Sequence, residues 1–240
     1  MYNPSITYIL NAQNTDIYAR QVNTNFIINF SSIFLFNIPC EWVFVIKFHM
    51  IKDILQIGDP ILTTKTTDVK DIESPETKSL IQDLLDTCEK NADISAGLAS
   101  PQIGISKSVC VCRRVDLEEK YPDKIFERDE LWLVLINPKI IRSSSEQSTE
   151  WEACLSIGKG KDNLWGPVNR AKKVTIEYTT PKGGSKTLKS DGYFSHVIQH
   201  EIDHLNGVLF VSYITNPLNI WRLEDLNSYI KFNDSYPEIQ

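Results

Sequence analysis

Glycine and proline are scarce in this chain, 10 and 11 of 240 residues, which excludes a collagen-like repeat or a Pro/Gly-rich disordered tract. Cysteine is scarce too. Five thiols at positions 40, 88, 110, 112 and 154 are too few and too irregular for a disulfide scaffold or a metal-finger array, so reduced thiols in a cytosol-like compartment are expected. Positive charge is outweighed, with 25 Lys and Arg against 31 Asp and Glu, and a formal charge of −6 offers no bulk attraction to a polyanion. Direct sequence-specific nucleic-acid binding is therefore not expected. A convincing membrane span is also lacking. Residues 21–40 hold no charge, but Asn23, Asn25, Asn29, Ser31, Ser32, Asn37 and Pro39 interrupt them, and only Phe26–Phe36 is mostly apolar. A secretory signal needs a basic start and a small-residue exit, yet the first basic residue is Arg20 and the apolar run leaves through Asn37-Ile38-Pro39. One Arg and three Ser in the first 49 residues do not make a transit peptide either.

What is present is an ordinary globular composition, 42 % hydrophobic and 23 % charged, long enough to bury a core unaided. It is distributed unevenly. The first 49 residues hold four charged side chains (Asp16, Arg20, Glu41, Lys47) and 10 of the 24 aromatics. The only methionines are Met1 and Met50, and the composition changes at the second. We therefore expect residues 1–49 to be an extension outside the native product, or an uncharacterised leader, with Met50 as the true start and residues 50–240 as one folded domain. An intact mass matching all 240 residues would sink the idea of a start at Met50.

Past Met50 the pattern is mixed. Ser74 as N-cap and Pro75 at the first helical position precede Leu80, Ile81, Leu84, Leu85 and Cys88 at helical spacing, which predicts an amphipathic helix ending near Asn91. Val109–Val115, Leu131–Ile136 and Val174–Thr179 read as strands, the last joined to Ser185–Leu188 through Pro181-Lys182-Gly183-Gly184 in a hairpin. Cys110 and Cys112 fall on one face of their strand and read as core residues. Asp191 and Asn206-Gly207 then bracket a helix of about four turns carrying Phe194, Val197, Ile198, Ile202 and Leu205. Strands followed by an isolated helix predict an α+β fold.

Three of the four histidines, His196, His200 and His204, lie on that helix at intervals of four. Four residues turn a helix by about 400°, so neighbouring imidazoles share a face roughly 6 Å apart along the axis and can grip one ion. His200-Glu201-Ile202-Asp203-His204 matches H-E-x-x-H, in which both imidazoles bind a metal and the glutamate serves as general base toward water. His196 is a neighbour rather than a ligand, because i to i+8 spans roughly 12 Å against metal–ligand bonds near 2 Å. A catalytic site needs a third protein ligand from elsewhere, a carboxylate or a cysteine, and Trp151-Glu152-Ala153-Cys154-Leu155-Ser156 draws notice.

Three segments together resemble the signature motifs of the peptide deformylase family, in that family's order and approximate spacing. Ser95-Ala96-Gly97-Leu98-Ala99-Ser100-Pro101-Gln102 resembles G-x-G-L-A-A-x-Q, Glu152-Ala153-Cys154-Leu155-Ser156 resembles E-G-C-L-S, and Gln199-His200-Glu201-Ile202-Asp203-His204 resembles Q-H-E-x-D-H. Gly58-Asp59-Pro60-Ile61-Leu62 and Ile136-Asn137-Pro138 are weaker matches, and the resemblance runs from about Met50 to Ser212. Ser95, Ser100 and Ala153 depart from the pattern, small for small.

The resemblance implies an α+β domain of small antiparallel or mixed sheets packed around a central H-E-x-x-H helix, with an amphipathic helix on its N-terminal side. It implies hydrolysis of the formyl group from the N-terminal formyl-methionine of nascent proteins, with formate released. Cys154, His200 and His204 would hold one divalent metal ion, Fe²⁺ by the family's habit, with Zn²⁺, Ni²⁺ or Co²⁺ as alternatives. Glu201 would be the base, Gln102 and the Leu155 backbone N–H would face the oxyanion, and Gly97 would let the substrate backbone approach. Gln199 and Asp203 would be supporting residues. His196 and Val197 read equally as lining of a methionine pocket or as packing. The implied partners are formyl-methionyl N-termini of nascent chains, near the ribosome, met by a monomer in the cytoplasm, or in an organelle if residues 1–49 target one. The rival reading is a zinc peptidase of the H-E-x-x-H type, whose third ligand would lie downstream, with Glu224 the best candidate.

Overall fold

The computed structural model describes residues 17–21, 24–28 and 51–240, and the chain falls into two units, Met1–Met50 and Ile51–Gln240. In the first unit, β1 (Ile17–Gln21) and β2 (Thr24–Ile28) pair antiparallel, with Ile17 opposite Ile28 and Gln21 opposite Thr24. The expectations of a leader and of a start at Met50 otherwise fall outside the described residues.

The second unit is organised by a strand that is apolar on both faces. β4 (Val109–Arg113) lies in a five-stranded antiparallel sheet between β3 (Gly97–Ala99) and β5 (Trp132–Ser143), continued by β8 (Lys173–Thr179) and β9 (Ser185–Asp191). Because strand side chains alternate, Val109 and Val111 pack with Leu80, Leu84 and Cys88 of α1 (Pro75–Lys90), while Cys110 and Cys112 pack with Val197, Ile198 and Ile202 of α4 (Gly192–Leu205). Each fully buried aliphatic side chain of this kind contributes about 1.5–3 kcal/mol. The sheet thus separates the two helices, and α4 is clamped on its inner face.

α1 begins as predicted, with Ser74 Oγ accepting the Thr77 N–H at 3.2 Å and Pro75 opening the first turn. The Asp191 carboxylate accepts the Gly192 N–H at 2.8 Å ahead of α4. At the other end Gly207 sits at φ +75°, and a Cβ there would lie 2.7 Å from the Thr63 carbonyl carbon. Only glycine allows both the left-handed turn and that approach. Thr66 completes the closure, its backbone N–H and hydroxyl each donating to the Leu205 carbonyl at 2.9 Å.

Three strands differ from expectation, β9 by running three residues past Leu188 to Asp191. β4 ends at Arg113, because Arg114 leads into a short helix, α2 (Val115–Lys120). After α3 (Arg128–Leu131), β5 runs on to Ser143, past Asn137 and Pro138, because Asn137 takes φ +50° at a register shift and its amide is held by the Val69 backbone at 2.8 and 2.9 Å. A second sheet was not anticipated: β6 (Gln147–Ala153) and β7 (Leu164–Ala171) pair antiparallel, with β10 (Trp221–Arg222) on the far side of β7. The polar β6 segment gives little alternation, and Pro167 argues against an interior strand. It is accommodated because β10 pairs only with Leu164 and Trp165. α5 (Leu223–Asn233) follows β10. Among the described residues no helix is long and apolar enough to cross a membrane.

Candidate active site

The four-residue spacing on α4 places the His200 and His204 rings 5.0 Å apart, centroid to centroid. The turn that follows β6 brings Cys154 against them, with Sγ 3.2 Å from His204 Nε2. One ligand atom from each of Cys154, His200 and His204 lies within 4.8 Å of the others, and among the described residues this is the one such grouping of histidine, cysteine and carboxylate. A thiol and two imidazoles on a buried turn and a buried helix form a donor set suited to a divalent transition metal. His196 stays out of it, its Nδ1 3.3 Å from Glu152 Oε1 and its Nε2 2.9 Å from Ser148 Oγ. Glu224 is far from such a role, on the exposed face of α5 with Lys161 Nζ at 3.6 Å.

The cysteine turn is fixed from several sides. The Cys154 carbonyl accepts from Ile157 N at 3.0 Å and from Asn163 Nδ2 at 2.7 Å. Its sulfur accepts from Ser156 N and from Gln102 Nε2, both at 3.4 Å. The Gln102 amide is oriented in turn, since its Oε1 accepts from Ala99 N at 2.8 Å and its Nε2 also donates to Ser156 Oγ at 3.2 Å. Leu155 lies in the same turn, its carbonyl held by Gln56 Nε2 at 2.9 Å. Ser100 and Ser95, two of the departures from the family pattern, spend their hydroxyls on the backbone carbonyls of Lys107 and Gly97.

Two glutamates dominate the electrostatics. Glu152 is buried and saturated: Arg170 Nε donates to Oε1 at 2.6 Å and Nη2 to Oε2 at 3.0 Å, His200 Nδ1 donates to Oε2 at 2.9 Å, and His196 adds its longer contact. Burial alone would raise its pKa, but the hydrogen bonds from His196, His200 and Arg170 hold it well below the usual carboxylate range. Arg170 also donates to Asp203 at 2.6 Å, and despite burial its two carboxylate partners push its pKa up. With Nδ1 engaged by Glu152, His200 presents its other nitrogen to the ligand group. The role of Gln199 is local, donating to the Ala171 carbonyl at 2.8 Å.

Glu201 is the opposite case. It is only 4 % exposed, its Oε2 has no hydrogen-bond partner, and burial outweighs the pull of His200 to push its pKa up to about 7. Burial lowers the pKa of His204, with His200 adding to the effect. In His200 the lowering by burial is outweighed by the hydrogen bonds with Cys154 and Glu152, so its pKa is raised. Gly97 stands directly against the free glutamate: a Cβ there would lie 2.4 Å from Glu201 Oε1. The missing side chain makes room for the carboxylate as well as for whatever enters from solvent.

All of this opens into a cleft lined among others by Gly97, Gln102, Cys154, Leu155, His200 and Glu201. His196 and Val197 also line it. Sequence reasoning singled out neither Arg170 nor Asn163. Nothing local in the sequence marks either.

Comparison with known proteins gives consistent findings. A family model described as polypeptide deformylase matches residues 51–219. The peptide deformylase of Rhizobium meliloti (strain 1021) is 37 % identical over 166 residues, covering 69 % of this chain and 86 % of that protein. That of Roseiflexus castenholzii is 36 % identical over 186 residues, covering 75 % and 94 %. Among solved structures, a peptide deformylase from Synechococcus elongatus in complex with actinonin aligns with a TM-score of 0.60 at 33 % identity, over 76 % of this chain and 88 % of that one. A Met-Ala-Ser-bound class I type b enzyme from Acinetobacter baumannii aligns at 0.58 and 29 %, over 69 % and 99 %.

Proposed function

The chain belongs to the polypeptide deformylase family, and from that premise we propose how its residues divide the work. The protein is a metal-dependent hydrolase that removes the formyl group from the N-terminal formyl-methionine of nascent proteins, releasing formate and a free amine. Cys154, His200 and His204 would hold the metal, which when bound would supply Lewis acidity, lowering the pKa of water toward neutrality. Glu201 takes that proton and passes it to the leaving nitrogen as the C–N bond breaks, a role suited to a buried carboxylate with an unengaged oxygen. Gln102 Nε2 and the Leu155 backbone N–H face the oxygen on which negative charge builds, and the bond from Ala99 keeps the Gln102 amide from rotating away. Glu152, locked by Arg170, orients His200 and fixes which ring nitrogen faces the metal. Gly97 leaves the cleft wall low enough for an extended peptide to lie beside Glu201.

The juxtaposition of three ligand atoms within 4.8 Å and an unpaired buried glutamate one residue from a ligand carries this reading. The metal is Fe²⁺, with Zn²⁺, Ni²⁺ or Co²⁺ able to occupy the same donors. Residues 50–240 form the catalytic domain and residues 1–49 an extension, acting as a monomer in the cytoplasm on chains leaving the ribosome. That a Met-Ala-Ser complex exists for a relative supports placing the first residues of the substrate in this cleft. Protein purified anaerobically should contain one metal ion per chain and release formate from formyl-Met-Ala-Ser. Cleavage of an unformylated internal peptide bond without formate release would overturn the assignment in favour of a peptidase.

A further inference from the structure

The floor and the rim of the cleft are built from different parts of the chain. Cys154, Glu201 and Gln102 at the floor are buried, whereas the rim includes Tyr193, 43 % exposed, and Ile94, 66 % exposed, with Trp151 between floor and surface. Trp151 does not stand alone. Tyr236 stacks on it with ring centroids 5.3 Å apart and planes 21° from parallel, leaving Tyr236 itself half exposed. Tyr236 belongs to a strap, residues 234–240, that lies past residue 219, where the match to the family ends.

The strap is held at both ends. Asp234 turns the chain out of α5 at φ +54°. Beyond Tyr236, Pro237 is buried, the Gln240 N–H donates to Asn219 Oδ1 at 2.9 Å, and Asn219 Nδ2 and Asn216 Nδ2 donate to the Gln240 carbonyl at 3.1 and 3.3 Å. Asn219 is itself buried, so the anchor is firm. A tyrosine delivered by a strap pinned on either side of it is a fixed wall, with its ordering entropy already spent before any peptide arrives.

We propose that Tyr236 is a specificity-determining residue for this enzyme: with Trp151 and Tyr193 it forms an aromatic shelf that binds the side chains following the first residue of the substrate, favouring aromatic ones. The inference rests on the formyl-peptide reading of the cleft. A peptide whose formyl end reaches the buried floor must leave over the rim, where flat, half-exposed rings gain most from stacking against another ring.

The test is steady-state kinetics of the full-length, metal-loaded enzyme on formyl-Met-Ala-Ser, formyl-Met-Phe-Ser and formyl-Met-Ala-Phe. Wild type should show a KM about three- to tenfold lower for at least one Phe peptide, the size expected of one aromatic pair. Tyr236→Ala should abolish that advantage while leaving kcat and KM for formyl-Met-Ala-Ser within about twofold, and Tyr236→Phe should retain it. If Tyr236→Ala does not fold, as judged by far-UV circular dichroism and metal content, Tyr236→Leu keeps the cover over Trp151 without the ring and carries the same test. Equal KM values for the three peptides in wild type, or an equal change for all three in the variant, would overturn the proposal while leaving the deformylase reading intact. No formate from any of them would remove the reading on which it rests.

Discussion

Two buried glutamates 49 residues apart, one facing the histidine-bearing helix and the other on it, have opposite electrostatic fates. Glu152, on β6, spends both oxygens on Arg170 and on the two histidines one turn apart, and stays ionised far into acid. Glu201, on α4, has an oxygen with no partner and is pushed up to about pKa 7. Residue type is the same and burial is similar. The number of donors that reach each carboxylate decides whether it holds a structure together or is free to carry a proton.

The sharpest way to break that contrast is Glu201→Gln. It should lower kcat/KM by about 10³-fold while metal analysis still finds one ion per chain, because it removes the proton carrier and no ligand. Loss of the metal instead would mean that Glu201 is structural. Gly97→Ala tests the space around the same group. Its methyl must displace the Glu201 carboxylate, and a shift of about 1 Å should cost on the order of 10² in kcat with native melting behaviour retained. Unchanged kcat would show that the carboxylate position does not matter.

Glu152→Gln attacks the saturated partner. Metal affinity measured by competition with a chelator should weaken about tenfold through the loosened His200, and Arg170, left with Asp203 as its one carboxylate partner, should lower unfolding free energy by about 1–3 kcal/mol. The smallest effect is in the pH dependence of stability. The folded pKa of Glu152 is depressed below its ordinary 4.5, so its contribution is fully present above about pH 4.5 and is lost as the pH falls below that toward the folded value. Urea midpoints of the chelated proteins should therefore drop less in Glu152→Gln than in wild type between about pH 5 and 3.5. Parallel slopes would show that the Glu152 pKa is not depressed by folding.

The same pair shows what could be read without coordinates. Glu201 lies inside a pattern whose meaning is local: helix periodicity puts it and its two histidines in register, and caps at Asp191 and Gly207 bound the helix on the expected residues. α1 was legible for the same reason, through Ser74, Pro75 and a regular apolar stripe. Glu152 appeared only as a letter in a motif. Its function depends on Arg170, two strands' pairing away in sequence, and on a sheet that neither alternation nor composition announced. Cys154 was singled out by resemblance, but what presents it, Asn163 on its carbonyl and Gln102 on its sulfur, comes from separate segments. Tyr236 lay outside every motif, and only the return of the strap to Trp151 gives it meaning.

The closure of α4 also bears on how such an enzyme comes into being. Thr66 caps Leu205, a partner 139 residues further along the chain, and Gly207 must settle against Thr63. Contacts of such separation form late and slow the search for the native state. During its own synthesis Thr66 waits for Leu205 long after its neighbours Thr67 and Val69 have met Ser106, Ser108 and Asn137. A protein that trims the beginnings of other chains can finish its own fold only when its own end is almost complete.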